Sequence, residues 1–226
     1  MKRNALEPDL DNLPRTIPIF PLNGALLLPG GRLPLNIFEP RYLSMVSDAL
    51  SSPHRMIGMI QTNDASSQDE AESMLYTVGC VGKLSSFEET PDGRYLISLD
   101  GLIRFTVDQE IESIDGYRRA NVTYDRFTHD LELSPPNFDR DRLLSALRTY
   151  FDLKGFTADW DAIKSCDSEK LVTTLSMICP LDNEDKQALL ESLTTSSRAD
   201  TLSTLLEMAN SGPAMTTQDN NTNVRH

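Results

Sequence analysis

The side chains able to do chemistry in this chain are few and scattered. The three histidines, His54, His129 and His226, fall in a turn, at a strand end and in the C-terminal tail. No HExxH motif or other metal-ligand spacing joins them. Cys80, Cys166 and Cys179 are widely separated and form no CxxC pair, so neither a disulfide framework nor a zinc site is indicated. Cys80 sits in a strand pattern and Cys179 closes a helix pattern, which suits buried, apolar thiols. There is no GxxxxGK[ST] phosphate loop, and Gly30-Gly31 and Gly79 with Gly82 lack the GxGxxG spacing. A nucleophile–histidine–acid triad would have to use one of the histidines in a turn or tail, and nothing in the spacing pairs a serine with a lysine. No catalytic residue, metal or cofactor is expected.

Two charged features remain, both beside apolar runs. Glu39-Pro40-Arg41-Tyr42 places an acid and a base at a strand-to-helix corner, and Gly101-Leu102-Ile103-Arg104-Phe105 places an arginine on the non-core face of a strand. The arginines could clamp a ligand carboxylate or amide. Alternatively they form a partly buried brace in which Glu39 pairs with Arg41 or Arg104, and loss of one member would strand the other charge.

The elements that must position these groups can be read in order. Residues 1–15 read as a mobile leader. Six of the thirteen prolines lie between Pro14 and Pro40 among short apolar runs. Proline gives no N–H to a ladder, so Ile17 to Phe38 reads as three short strands joined by turns, with glycines at 24, 30 and 31 at the reversals. Pro40 to Leu50 carries a helical stripe of Tyr42, Met45, Val46, Ala49 and Leu50. Arg55 to Gln61 is a buried strand, 63–73 a mobile polar loop, and Met74 to Phe87 another strand. After the Thr90-Pro91-Asp92-Gly93 turn, Tyr95, Ile97, Leu99, Ile103, Phe105 and Val107 alternate with polar residues in one long strand. Tyr117 to Phe127 reads as a further strand.

Composition then changes. Leu133-Ser134-Pro135-Pro136-Asn137 reads as a stiff linker, and four helices follow. Asp139 or Asn137 caps the first, Asp167 or Ser168 the second, Asp182 the third, and Ser196 or Ser197 begins the fourth. Trp160 fills a gap between helices. Residues 16–130 therefore form a β-rich unit, 131–211 a helical unit, and 212–226 a disordered tail.

The formal net charge is −13. It is spread evenly, with 12 basic against 19 acidic residues up to position 130 and 9 against 15 beyond it. A chain acidic throughout is poorly suited to phosphate backbones or anionic membranes. No apolar run reaches the roughly 20 residues of a membrane span, and the N-terminus has no secretory h-region. A cytoplasmic protein without nucleic-acid or membrane partners is expected.

Several separated motifs resemble the N-terminal substrate-binding domain of Lon proteases. They are Pro18-x-Phe20-Pro21-Leu22, Leu28-Pro29-Gly30, Phe38-Glu39-Pro40-Arg41-Tyr42, Asp92-Gly93-Arg94, Gly101-Leu102-Ile103-Arg104-Phe105, and Lys186-Gln187-Ala188-Leu189-Leu190-Glu191 followed by Arg198. Arg198-Ala199-Asp200 replaces the usual Arg-Leu of that family. The resemblance runs over about residues 16–209 and implies an α+β fold, a PUA-like pseudobarrel with one helix followed by a helical bundle. It also implies a non-catalytic binding module for unfolded or exposed apolar polypeptide, with a role in protein quality control. Leu26, Leu27, Leu28, Pro29, Met45, Met56 and Met59 are the candidate peptide contacts, since pliant apolar side chains suit an adaptable groove. Phe38 to Tyr42, Gly101, Arg104 and Phe105 are structural signature positions. The alternatives are a small-molecule pocket in the β unit and, by fold analogy alone, an RNA-binding module.

Overall fold

The computed structural model describes residues 10–63, 73–132 and 135–211. The start of the leader, most of the 63–73 loop, Leu133-Ser134 of the linker, the tail and His226 lie outside the described residues.

Six strands form the first unit: β1 (Thr16–Pro21), β2 (Arg32–Ile37), β3 (Met56–Ile60), β4 (Val78–Glu89), β5 (Tyr95–Ile114) and β6 (Tyr117–Thr123), with helix α1 (Pro40–Ser51) between β2 and β3. Their order is β2-β5-β4-β3-β1-β6, and a further β5–β6 pairing closes the last five into a barrel. The 20-residue β5 makes closure possible. Its first half pairs with β2, its second half with β6, and β4 runs along its other edge. Bulges between Val81 and Gly82 and between Val107 and Gln109 bend the long strands around the core. β1 and β3 are parallel; a parallel pair needs a crossover, which the chain through β2 and α1 supplies.

The segment expected as the middle of three opening strands is not a strand. Leu26, Leu27 and Leu28 belong to no strand or helix and lie in the interior, at 2%, 1% and 0% exposure. Two glycines facing each other across β4 and β5, Gly82 and Gly101, make room for them. A Cβ on Gly101 would lie 2.0 Å from the Leu28 carbonyl oxygen, and one on Gly82 2.8 Å from Leu27 Cδ2. The Gly30 N–H donates to the Gly101 carbonyl at 3.0 Å and the Gly101 N–H to the Gly31 carbonyl at 2.8 Å. The end of the expected leader is also tied down: Leu13 is buried, and the Tyr124 hydroxyl donates to the Pro14 carbonyl.

After a 3-10 segment at Asp125–Leu131, where the sequence pattern suggested continued strand, come α2 (Arg140–Lys154), α3 (Trp160–Ser165), α4 (Ser168–Ile178), α5 (Asn183–Glu191) and α6 (Thr195–Ser211). Asp139, Asp159, Asp167 and Asp182 cap the first four by accepting first-turn N–H groups. α6 starts earlier than expected, because the Thr194 hydroxyl accepts the Ser197 N–H. Trp160 opens α3, packed near Phe151 with Arg148 over its ring. Leu143, Leu147, Val172, Leu189, Leu202 and Leu206 belong to one continuous buried cluster with the barrel interior. None of the described helices is long and apolar enough to cross a membrane.

Candidate functional site

A concavity beside Arg104 lies where the barrel meets the helices. β5 brings Arg104 to it, and the 3-10 segment brings Arg126, His129 and Asp130. α4 contributes Glu169, the turn before α6 contributes Leu193 and Thr194, and the start of α6 contributes Thr195, Ser196 and Arg198. Pro29, Glu132, Pro135 and Pro136 complete a cavity of about 560 Å³.

Arg104 forms one wall and is saturated. Its Nε and Nη2 donate to the two Asp130 carboxylate oxygens at 2.9 and 2.6 Å, and its backbone N–H reaches the same carboxylate. Nη1 donates to the carbonyls of Leu190 and Ser192, and Nη2 to that of Leu193. These carbonyls terminate α5, so the cation sits at the negative end of the helix and satisfies groups the helix leaves open. The guanidinium also lies 4.4 Å from the centre of the Phe127 ring. The Arg104 and Asp130 side chains are 1% and 6% exposed. His129 Nε2 lies 2.5 Å from the Leu193 carbonyl; a carbonyl only accepts, so this nitrogen carries the hydrogen.

Arg198 forms the floor and is only partly satisfied. It is 3% exposed, and its Nε donates to the Leu189 carbonyl at 2.9 Å. Burial, with Arg104 nearby, pushes its guanidinium down to about 10. Its two terminal nitrogens have no hydrogen-bond or ion-pair partner among the described residues.

A second polar seam ties α5 to the barrel. Gln61 Nε2 donates to Gln187 Oε1, and Gln187 Nε2 donates to the Val78 carbonyl and to Glu191. Lys186 Nζ donates to the Gly24 carbonyl, and burial lowers its pKa. The buried thiols are protected rather than activated: burial raises Cys80, and pushes Cys179 up to about 11.

The residues expected to contact a peptide lie elsewhere. Leu26, Leu27, Leu28, Met45, Met56 and Met59 are all buried in the core, between 0% and 7% exposed. As placed, they offer no contact surface; periodicity marked them as apolar but could not say which apolar faces the fold would cover. Only Pro29 is partly open, and it lines the junction cavity. Of the signature residues, Glu39 and Arg41 do pair, at 2.9 Å, with side chains 40% and 23% exposed. Arg104 does not join them, because Asp130 holds it. Tyr42 is buried against Phe20, Phe105 is fully buried, and Phe38 is 63% exposed. Asp130 escaped notice in the sequence, where an isolated acid beside a histidine carries no pattern. In the sequence Arg198 stands only as part of a motif, and nothing local shows that it is buried.

The chain matches the model of the ATP-dependent protease La (LON) substrate-binding domain over residues 16–208. It belongs to that family. The matched span takes in the barrel, the junction and nearly all of α6. Lon protease from Anaeromyxobacter dehalogenans is 30% identical over 112 residues, covering 50% of this chain and 13% of that protein. Lon protease 2 from Sorangium cellulosum is 29% identical over 145 residues, covering 64% and 16%. The chain therefore spans only a small part of the length of these relatives. Among solved structures, the Lon N-terminal domain protein from Xanthomonas campestris aligns with a TM-score of 0.56 at 22% identity, covering 83% of this chain and 96% of that one. The N-terminal domain of the Mycobacterium avium complex Lon protease aligns at 0.59 and 14%, covering 85% and 98%. At these identities the likeness establishes the fold, an α+β barrel with a C-terminal helical part.

Proposed function

We propose that this chain is a non-enzymatic polypeptide-binding module, acting as an adaptor for unfolded or exposed apolar segments in the cytoplasm. The observation that supports this reading is the junction cavity, which both units of a Lon substrate-binding domain build together. Its mouth is apolar on one side, where Leu193 is 53% exposed beside Pro29, Pro135 and Pro136. Its floor is polar, with the hydroxyls of Thr194 to Ser196 and the Arg198 guanidinium. A polypeptide segment needs such a mixture, apolar surface for a side chain and polar groups for its backbone. The acidic balance of the chain weighs against nucleic acid as the partner.

A titration with a reduced and alkylated, permanently unfolded protein tests the reading. Saturable binding in the micromolar range is expected, weakened about tenfold in Leu193→Glu, which sets a charge at the apolar lip. No binding at high micromolar concentration would overturn it. A cavity of about 560 Å³ is also within the size range of small-molecule sites. A ligand-dependent rise in melting temperature across a metabolite panel, with no response to unfolded protein, would favour that alternative.

A further inference from the structure

Two buried features of the junction cavity face a common space without protein partners. Arg198 is nine-tenths buried and more, yet four N–H bonds on its terminal nitrogens find no acceptor among the described residues. The 17-residue helix α6 begins at the same wall. The Thr194 hydroxyl takes the Ser197 N–H and the Thr194 carbonyl takes the Arg198 N–H, but the N–H groups of Thr195 and Ser196 have no acceptor among the described residues. Both residues line the cavity. A helix N-terminus favours negative charge, and a guanidinium edge presents parallel N–H groups at the spacing of two carboxylate oxygens. The cavity's own acids leave this place open. Asp130 is consumed by Arg104, and Glu132 and Glu169 are exposed, neither forming an ion pair with Arg198.

We propose that the floor of the junction cavity binds a ligand carboxylate, held two-pronged by the Arg198 terminal nitrogens and supported by the first N–H groups of α6. The same chemistry is offered by the C-terminal carboxylate of a polypeptide and by a free small carboxylic acid. The first source rests on the polypeptide-binding reading; the second does not. Asp130 and Glu169 offset the Arg198 charge without bonding to it, and burial still depresses its pKa. A group that is costly to bury and points into a cavity is arranged for a partner that arrives from outside.

Calorimetric titration of the full chain distinguishes the outcomes. The probes are a short apolar peptide with a free C-terminus, the same peptide amidated, and succinate. The free acid is expected to bind about tenfold or more tightly than the amide. Arg198→Met should abolish that preference. Ser196→Asp should do the same; its charge at the helix N-terminus favours the fold but the Asn137 N–H loses the Ser196 hydroxyl, so a melting curve run beside the titration separates lost binding from unfolding. Equal affinity for acid and amide would overturn the carboxylate site and leave polypeptide binding standing. Binding of succinate without either peptide would keep the site, assign it to small acids and remove the polypeptide reading. Absence of binding by all three probes, or acid preference unchanged in both variants, would overturn the proposal.

Discussion

The opening corner and the junction each hold an arginine–carboxylate pair, and the two are built in opposite ways. At the corner, Arg41 and Glu39 lie two residues apart, partly open to water, with Nη2 and Nε both meeting one carboxylate oxygen, at 2.9 and 3.0 Å. At the junction, Arg104 and Asp130 lie 26 residues apart, nearly sealed, and the guanidinium spends its remaining donors on the end of α5. The corner pair is screened and contributes little. The junction pair is a hub at which β5, the 3-10 segment and α5 depend on one another. Arg198, 3% exposed against 1% for Arg104 and lining the same cavity, donates a single side-chain bond, to the Leu189 carbonyl. What separates the two is how many of their N–H groups the protein itself satisfies.

Breaking the hub should have the largest effect. Arg104→Met removes the cation, leaves Asp130 buried and unpaired, and strands the α5 carbonyls. A loss of about 3–5 kcal/mol in urea unfolding is expected. A loss below about 1 kcal/mol would make the hub no more important than the corner.

The corner should depend instead on packing and on a half-buried tie between α1 and β6. There the Tyr117 hydroxyl donates to Asp48 at 2.7 Å. Tyr117→Phe should cost about 1 kcal/mol. Burial first, then Asp48, pushes Tyr117 up to about 12 from an ordinary value near 10. The unfolded chain therefore loses this proton first. The contribution is complete below pH 10 and fades as pH rises towards about 12. Denaturation followed across that range should be less steep in Tyr117→Phe; an unchanged slope would mean the tie is absent. Glu39→Ala should have the smallest effect, below about 1 kcal/mol, because its partner can turn to water. A loss as large as that from Arg104→Met would reverse the comparison.

These contrasts also show what can be read from sequence. Alternation in β5 placed Ile97, Leu99, Ile103 and Phe105 inside and Arg104 on the other face, and the structure agrees. Period two cannot say that helices will cover that other face, so Arg104 was open to a ligand-clamp reading. Helix caps were legible because Asp139, Asp167 and Asp182 bond to N–H groups two or three residues away. Asp130 was not, because its partner is distant in sequence and close only after the barrel closes. Leu26 to Leu28 misled for a related reason. Their apolar run looks like a strand, and only the paired glycines at 82 and 101, across a register set by tertiary structure, show that the segment is a plug. The junction cavity belongs to the same class of feature, being defined by contacts between units rather than by any local pattern.

Urea denaturation of Arg198→Met beside Arg104→Met measures the difference between the two arginines. Arg198 contributes one bond, to the Leu189 carbonyl, and its unpaired charge opposes folding, so Arg198→Met should change stability by less than about 1 kcal/mol, or raise it. Arg104→Met should lose about 3–5 kcal/mol. Equal and large losses from the two variants would contradict the account, because both arginines would then be structural and the cavity floor would have no group held free for a ligand.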